Sequence, residues 1–329
     1  MFFICAVCTH CFLLFSSFKL DNFLKFTHYL WLMLRKPAVS GAFYEASREK
    51  LVHQIKGCFF SRLGPGRLPD EKPEQEAFGL VAPHAGYVFS GACAAHGYAW
   101  LSRSKKQTFV VLGVNHTGVG SSSVSLSDFE TPLGIAKNDI ELSRKIASFS
   151  RIPCDERPHF YEHSIEVQVP FLQFIYNEGL RIVPIIVDFS CDYPKLASAI
   201  LLAAKELARE VVVIASSDFT HYGPNYGENN LGENAEEKVK EDDLKIIQNI
   251  INKSPKVFLE AAGKKTICGV HTITALLHYI RLAEKTMQLD SEPELLKYYQ
   301  SSDIMPSGSF VGYASIVFRK IGKALKKQK

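Results

Sequence analysis

Four short apolar runs punctuate the chain: "FGLVAP" from Phe78, "TFVVLGV" from Thr108, "RIVPIIV" from Arg181 and "VVVIASS" from Val211. None alternates strictly between apolar and polar residues, the pattern of strands buried on both faces in a largely parallel sheet. Segments with helical spacing separate them. Leu51, Val52, Ile55, Cys58 and Phe59 recur every three to four positions after Ser47, which is placed to cap the free amides of that helix. Further helices are predicted over "SGACAAHGYAWL", "YPKLASAILLAAKEL", Ala235 to Asn252, Pro255 to Ala262 and "TICGVHTITALLHYIRLAEK". Asn138 and Glu141 read as a capping box for a helix running through Phe149, and "EHSIEVQVPFLQFIYN" as one helix kinked at Pro170. "SSVSLS" and "FETPLG" suggest an antiparallel insertion, and "ELLKYYQSS" and "FVGYASIVFRK" two closing strands. The expected class is α/β: three layers, a mostly parallel mixed sheet with helices on both faces.

At 329 residues and 47% hydrophobic, the chain can bury a large core. The net charge of +4 is small and its cations are scattered apart from the tail "RKIGKALKKQK", so no nucleic-acid footprint is expected. Eight irregularly spaced cysteines do not form a disulfide framework and suit a reducing cytoplasm. The first residues stand apart, with dense Phe and Leu and neither Gly nor Pro before Met33. They lack the flanks of a secretory signal, and Lys19, Asp21 and Lys25 interrupt any membrane span. Residues 1–32 are therefore read as a gene-model extension outside the fold, with translation starting at Met33 and a single domain over 33–329. Cys5, Cys8, Cys11 and His10 resemble half of a metal knuckle without a second half.

Ligands of open α/β sheets bind beyond the carboxyl ends of the strands, so the strand exits are where chemistry is to be sought. "GLVAPHAGYVFSG" leaves its strand with His84, "VVLGVNHTG" with His116, and "VVVIASSDFTHYG" with Asp218 and His221. "TICGVH" sets Cys268 before a helix, and "YEHSIE" adds His163 and Glu166. Taken singly, a histidine after a strand is an ordinary turn or core residue, and Cys268 a small buried hydrophobe. Their recurrence on one sheet edge suits a first-row transition metal, with Asp218 as orienting group, His221 as acid or base, and Tyr87 and Tyr222 as further hydrogen-bonding groups. His96, His159, His271 and His278 lack such context. No dinucleotide fingerprint, phosphate loop or serine elbow is present, which leaves nucleotide and serine-hydrolase chemistry without support.

"KPAVSGAFY", "APHAGYVFSG", "GVNHTG", "YEHSIEVQVPFL", "SSDFTHYG" and "TICG" occur in the order found in the Memo-like family, known in microbes as AmmeMemoRadiSam system protein B. The resemblance runs from about Arg35 to Arg319 and looks most like the archaeal and bacterial branch. It implies a fold similar to class III extradiol dioxygenases, with His84, His116 and Cys268 at the metal-site positions, Asp218 and His221 as the adjacent polar pair, and His163 and Glu166 beside the pocket. Those dioxygenases use two His and a Glu; Cys268 departs from them toward softer metals, so ring cleavage does not follow from the fold. Thr272 stands where relatives often carry Pro.

The expected cofactor is one transition-metal ion, iron or copper before zinc, with no nucleotide. A metal-dependent redox or dioxygenase-like enzyme is the first functional expectation. A non-catalytic metal- or peptide-binding module is the second; the resemblance implies functional association with radical-SAM and AMMECR-type proteins. A metal-dependent hydrolase is the third. The small molecule or peptide bound is not legible, and neither nucleic acid nor membrane is expected as a partner.

Overall fold

The computed structural model describes residues 34–69, 76–102, 107–176, 179–227 and 231–321. The proposed N-terminal extension and its Cys5, Cys8, Cys11 and His10 cluster lie outside them.

Among the described residues eleven strands form one sheet: β1 (Leu34–Arg35), β2 (Ala77–Ala82), β3 (Thr108–Gly113), β4 (Ser123–Val124), β5 (Asp128–Thr131), β6 (Gly134–Asn138), β7 (Arg181–Ile186), β8 (Val211–Ser216), β9 (His221–Tyr222), β10 (Asp290–Gln300) and β11 (Phe310–Ile321). Their order is β1-β5-β6-β7-β3-β8-β2-β11-β10, with β4 added to β7 and β9 to β11. From β6 to β2 every neighbour on this path runs parallel, while β5 on β6 and β11 on β2 are antiparallel. The sheet is thus parallel at its centre and mixed toward its edges.

The described helices are α1 (Arg48–Phe60), α2 (Tyr87–Leu101), α3 (Ile140–Ser150), α4 (Val169–Tyr176), α5 (Tyr193–Glu206), α6 (Ala235–Ile251), α7 (Pro255–Ala262) and α8 (Val270–Met287). Strand residues divide by parity between two cores. In β8, Val211, Val213 and Ala215 pack with α3, α5, α6, α7 and α8, whereas Val212 and Ile214 pack with α1, α2 and α4. Both faces being covered, no polar alternation is left to see in the sequence. No described helix is long and apolar enough to cross a membrane.

Two local expectations are corrected, and the strand expected over "RIVPIIV" holds with a proline inside it. Asp139, not Asn138, caps α3, its carboxylate accepting the amide of Leu142; Asn138 ends β6 and spends its side chain on the Ser125 and Ser127 carbonyls and the Ser143 hydroxyl. The segment from Glu162 is not one kinked helix: a 3-10 turn over Glu166–Gln168 precedes α4, where Pro170 occupies the first turn and its missing amide costs nothing. Pro184 lies inside a central strand, a place proline usually avoids. Its carbonyl accepts from Ser125 on the side where β7 changes partner from β6 to β4, so the ladder hardly misses its amide.

Candidate metal centre

β2, β3 and β8 run parallel, so Ala82, Gly113 and Ser216 finish on one edge of the sheet and release His84, His116 and Asp218 there. Cys268 arrives from another direction, immediately before α8. Its approach depends on Gly269, where an added Cβ would stand 2.2 Å from Ser217 Cβ. The Gly269 amide donates to Ser217 Oγ at 3.1 Å, and Thr272 Oγ1 donates to the Ser216 carbonyl at 3.0 Å. Thr272 Oγ1, also 2.9 Å from the Gly269 carbonyl, thus bridges the start of α8 and the end of β8. One ligand-type atom each from His84, His116 and Cys268 lies within 4.8 Å of the others.

The hydrogen bonds determine which atoms these are. Ser216 Oγ donates its proton to the Ser164 carbonyl at 2.7 Å and accepts from Gln168 Nε2 at 2.8 Å. Its remaining lone pair, 2.9 Å from His84 Nδ1, takes a proton held on that nitrogen. The Gln168 amide is itself fixed, donating to the Pro83 carbonyl and accepting from the Tyr98 hydroxyl. His84 thus presents a bare Nε2, 3.2 Å from Cys268 Sγ. His116 Nδ1 faces Glu162 Oε1 at 3.0 Å, and a carboxylate only accepts, so Nδ1 holds a proton and Nε2 is the nitrogen left for a ligand. His221 follows the same rule: Nδ1 donates to the Thr266 carbonyl at 2.8 Å, leaving Nε2 free.

Glu162 is the residue the motif reading missed. Its carboxylate also accepts the His116 amide at 2.7 Å and the Ser164 amide at 2.8 Å, and His163 Nδ1 lies 3.6 Å away. Burial opposes its charge, yet the His116 contact and the Ser164 amide hold the carboxyl down at about 2. The His163 ring stacks on His116 at 4.6 Å, meets His84 edge-on at 5.4 Å, and is pushed down to about 4 by burial.

Glu166 was expected beside the pocket and is spent elsewhere. Arg35 reaches one of its oxygens at 2.6 Å, the Tyr44 hydroxyl the other at 2.6 Å, and the amides of Ala38 and Val39 complete the set. Arg35 also donates to the carbonyls of His159 and Glu162, so this buried pair fixes the loop that carries Glu162 and His163. Tyr87 donates to the Val167 carbonyl, with its ring against Tyr44 and Phe171. Tyr222 packs on Phe310 and its hydroxyl accepts the Leu231 amide. The hydroxyls and rings of both are engaged in bracing surrounding structure.

Asp218 is buried behind the triad. Oδ1 accepts the amides of His84, at 2.8 Å, and Ala85, while Oδ2 lies 4.0 Å from His84 Nε2. The Asp218 amide donates to Cys268 Sγ at 3.2 Å. Burial pushes the Asp218 carboxyl upward, and burial followed by the Asp218 charge pushes the Cys268 thiol well up. Burial and the neighbouring His116, His163 and His221 push His84 well down, so it is neutral at pH 7.

This donor set fits a metal ion. Tetrahedral ligands with bonds of about 2.0 to 2.3 Å stand roughly 3.5 Å from one another, a separation the His84–Cys268 pair already approaches. His84 is held neutral, and both imidazoles have Nδ1 anchored, on Ser216 and on Glu162, the arrangement that leaves Nε2 for a metal. The thiol must lose its proton, and a bound cation supplies the charge that makes this favourable.

The comparisons agree with the motifs. The Memo-like protein family matches residues 35–317. A MEMO1 family protein of Methanopyrus kandleri is 40% identical over 300 residues, covering 88% of this chain and 100% of the relative. One of Thermococcus onnurineus is 41% identical over 303 residues with the same coverage, and one of Sulfurisphaera tokodaii 37% over 302 residues, covering 87% of this chain and 99% of its own. With its β2, β3 and β8 exits bearing the family's motifs, this chain belongs to the Memo-like family.

Proposed function

We propose that the protein is a metal-dependent redox enzyme, dioxygenase-like in its placement of chemistry, that holds one iron or copper ion through His84 Nε2, His116 Nε2 and Cys268 Sγ. The observation that supports this reading most is the anchoring of both imidazoles through Nδ1, with one ligand-type atom each of His84, His116 and the Cys268 thiol gathered within 4.8 Å at a strand-exit crevice. Such an ion would supply electron transfer and polarisation of a bound oxygen atom. The chain's own groups do the rest. Asp218 holds the His84 turn by two amides, and Glu162 holds His116. His221 Nε2, free and electrostatically coupled to Asp218, carries a proton to or from the substrate. Anaerobically purified protein reconstituted with Fe(II) or Cu(I) should consume oxygen at a rate lost in His84→Ala and Cys268→Ala and reduced in His221→Gln. Full metal occupancy without turnover in any redox assay would sink the catalytic reading and leave the site as a binding centre.

One observation favours a second reading, a metal-containing module that docks a ligand without turnover. Tyr161 and Phe189 are 81% and 84% exposed on loops at the strand-exit edge, with Phe160 also exposed beside them. Such aromatics suit contact with a peptide or an apolar small molecule. This module would act with a radical-SAM and AMMECR-type modification system, and a pull-down that fails with Tyr161→Ser and Phe189→Ser would support it. Zinc alone, with hydrolysis in place of redox activity, would point to a hydrolase.

A further inference from the structure

A cavity of ≈ 320 Å³ opens at the amino end of β7, the end of the strand remote from the candidate metal centre. Its walls combine three cations, Arg48, Lys137 and Arg181, with the apolar Val52, Ile135 and Phe174. Lys137 and Arg181 are Cα partners in the parallel β6–β7 ladder, so their side chains emerge next to each other on one face of the sheet. Like charges opposite one another in a sheet repel, and the arrangement is relieved by an anion between them. Among the described residues only Lys137 has one: Asp128 Oδ2 accepts from it at 2.7 Å, and the other Asp128 oxygen is occupied by the Asn138 amide.

Among the described residues, the two guanidinium groups have no carboxylate partner. Arg48 donates to the Leu133 carbonyl at 2.6 Å and Arg181 to the Leu180 carbonyl at 3.1 Å; among the described residues neither meets a carboxylate. A guanidinium has five N–H donors, so each retains several while one is held by the main chain, which fixes the orientation of the rest. The hairpin wall between β5 and β6 is itself held, since the Gln173 amide donates to the Gly134 carbonyl at 2.9 Å.

We propose that this cavity binds a small organic oxyanion, a carboxylate or phosphate group carried on an apolar body. The planar forks of Arg48 and Arg181 match either oxyanion, and the Val52, Ile135 and Phe174 walls receive the body. The volume lies in the range of small-molecule pockets. This site is independent of the metal reading, because its residues come from the opposite end of the strands.

Calorimetric titration of the full chain with phenyl phosphate, benzoate and inorganic phosphate tests the proposal. Saturable binding of phenyl phosphate or benzoate is expected, at least tenfold tighter than inorganic phosphate and at least tenfold weaker in both Arg48→Gln and Arg181→Gln. The tighter of the two organic probes identifies the oxyanion. Both substituted positions are exposed, and an unchanged melting temperature and metal content in the variants separates lost binding from lost folding. No saturable binding, affinity equal to that of inorganic phosphate, or binding indifferent to both substitutions would overturn it.

Discussion

Glu162 and Glu166 show how far residue types carry an argument and where they stop. Both acids flank His163 in one motif, and nothing in their spacing says which turns toward the imidazoles; the turn geometry before α4 decides it, giving Glu162 to His116 and Glu166 to Arg35. The only hint in the sequence was adjacency, since an acid directly before a histidine shares its loop. His84, His116, Asp218 and Cys268 were legible because strand ends and a helix start are short, rigid places that leave little freedom for where their side chains go. Two consequences belong at this scale. Glu162→Gln keeps the shape but weakens the hold on the His116 tautomer, and metal affinity measured by chelator competition should fall roughly 10- to 100-fold. Because binding must displace the proton that burial keeps on the Cys268 thiol, apparent affinity should rise about tenfold per pH unit between pH 6 and 8, and this dependence should flatten in Cys268→Ser. A flat profile in the unsubstituted protein would mean that the thiol is not a ligand.

At the level of elements, strands and helices are legible in the residue pattern, and their caps and joints are not. β8, apolar from Val211 to Ala215, is recognisable because both faces are buried, whereas Asn138 and Asp139 are adjacent cap formers that only the end of β6 distinguishes. Asp139→Ala should therefore cost about 1 kcal/mol in urea denaturation. Ile214→Ala, which opens a hole between β8 and the α1, α2 and α4 layer, should cost about 3 kcal/mol. Gly269→Ala tests the joint that places Cys268. Its Cβ has no room against Ser217, so α8 must shift; metal binding should be lost while most of the stability is retained. Unchanged affinity in that variant would show that Cys268 does not depend on this close approach.

For the whole molecule, acid sensitivity follows from groups the fold keeps uncharged. His159 is buried with Nδ1 unpartnered, and burial pushes it down to about 3, so the folded state holds it neutral while the unfolded chain protonates near 6.5. Its contribution is full above pH 6.5 and is lost as pH falls from there toward 3, with a slope of at most about 1.4 kcal/mol per pH unit. Asp243 acts in the opposite sense. Burial raises it to about 6 despite hydrogen bonds from Thr220 and Tyr298, so its contribution is present below the ordinary carboxylate range and lost as pH rises through 6. Denaturation midpoints from pH 4 to 7 should fall less steeply with acid in His159→Leu and more steeply in Asp243→Asn; equal slopes in all three proteins would exclude these two groups as the source.

The central claim is that this Memo-like chain gathers His84, His116 and Cys268 around one ion. X-ray absorption at the metal edge of stoichiometrically loaded protein, beside Cys268→Ala, addresses it directly. One sulfur at about 2.3 Å with two imidazole nitrogens near 2.0 Å is expected, the sulfur disappearing in the variant. Coordination by oxygen and nitrogen alone, identical in both proteins, would contradict it.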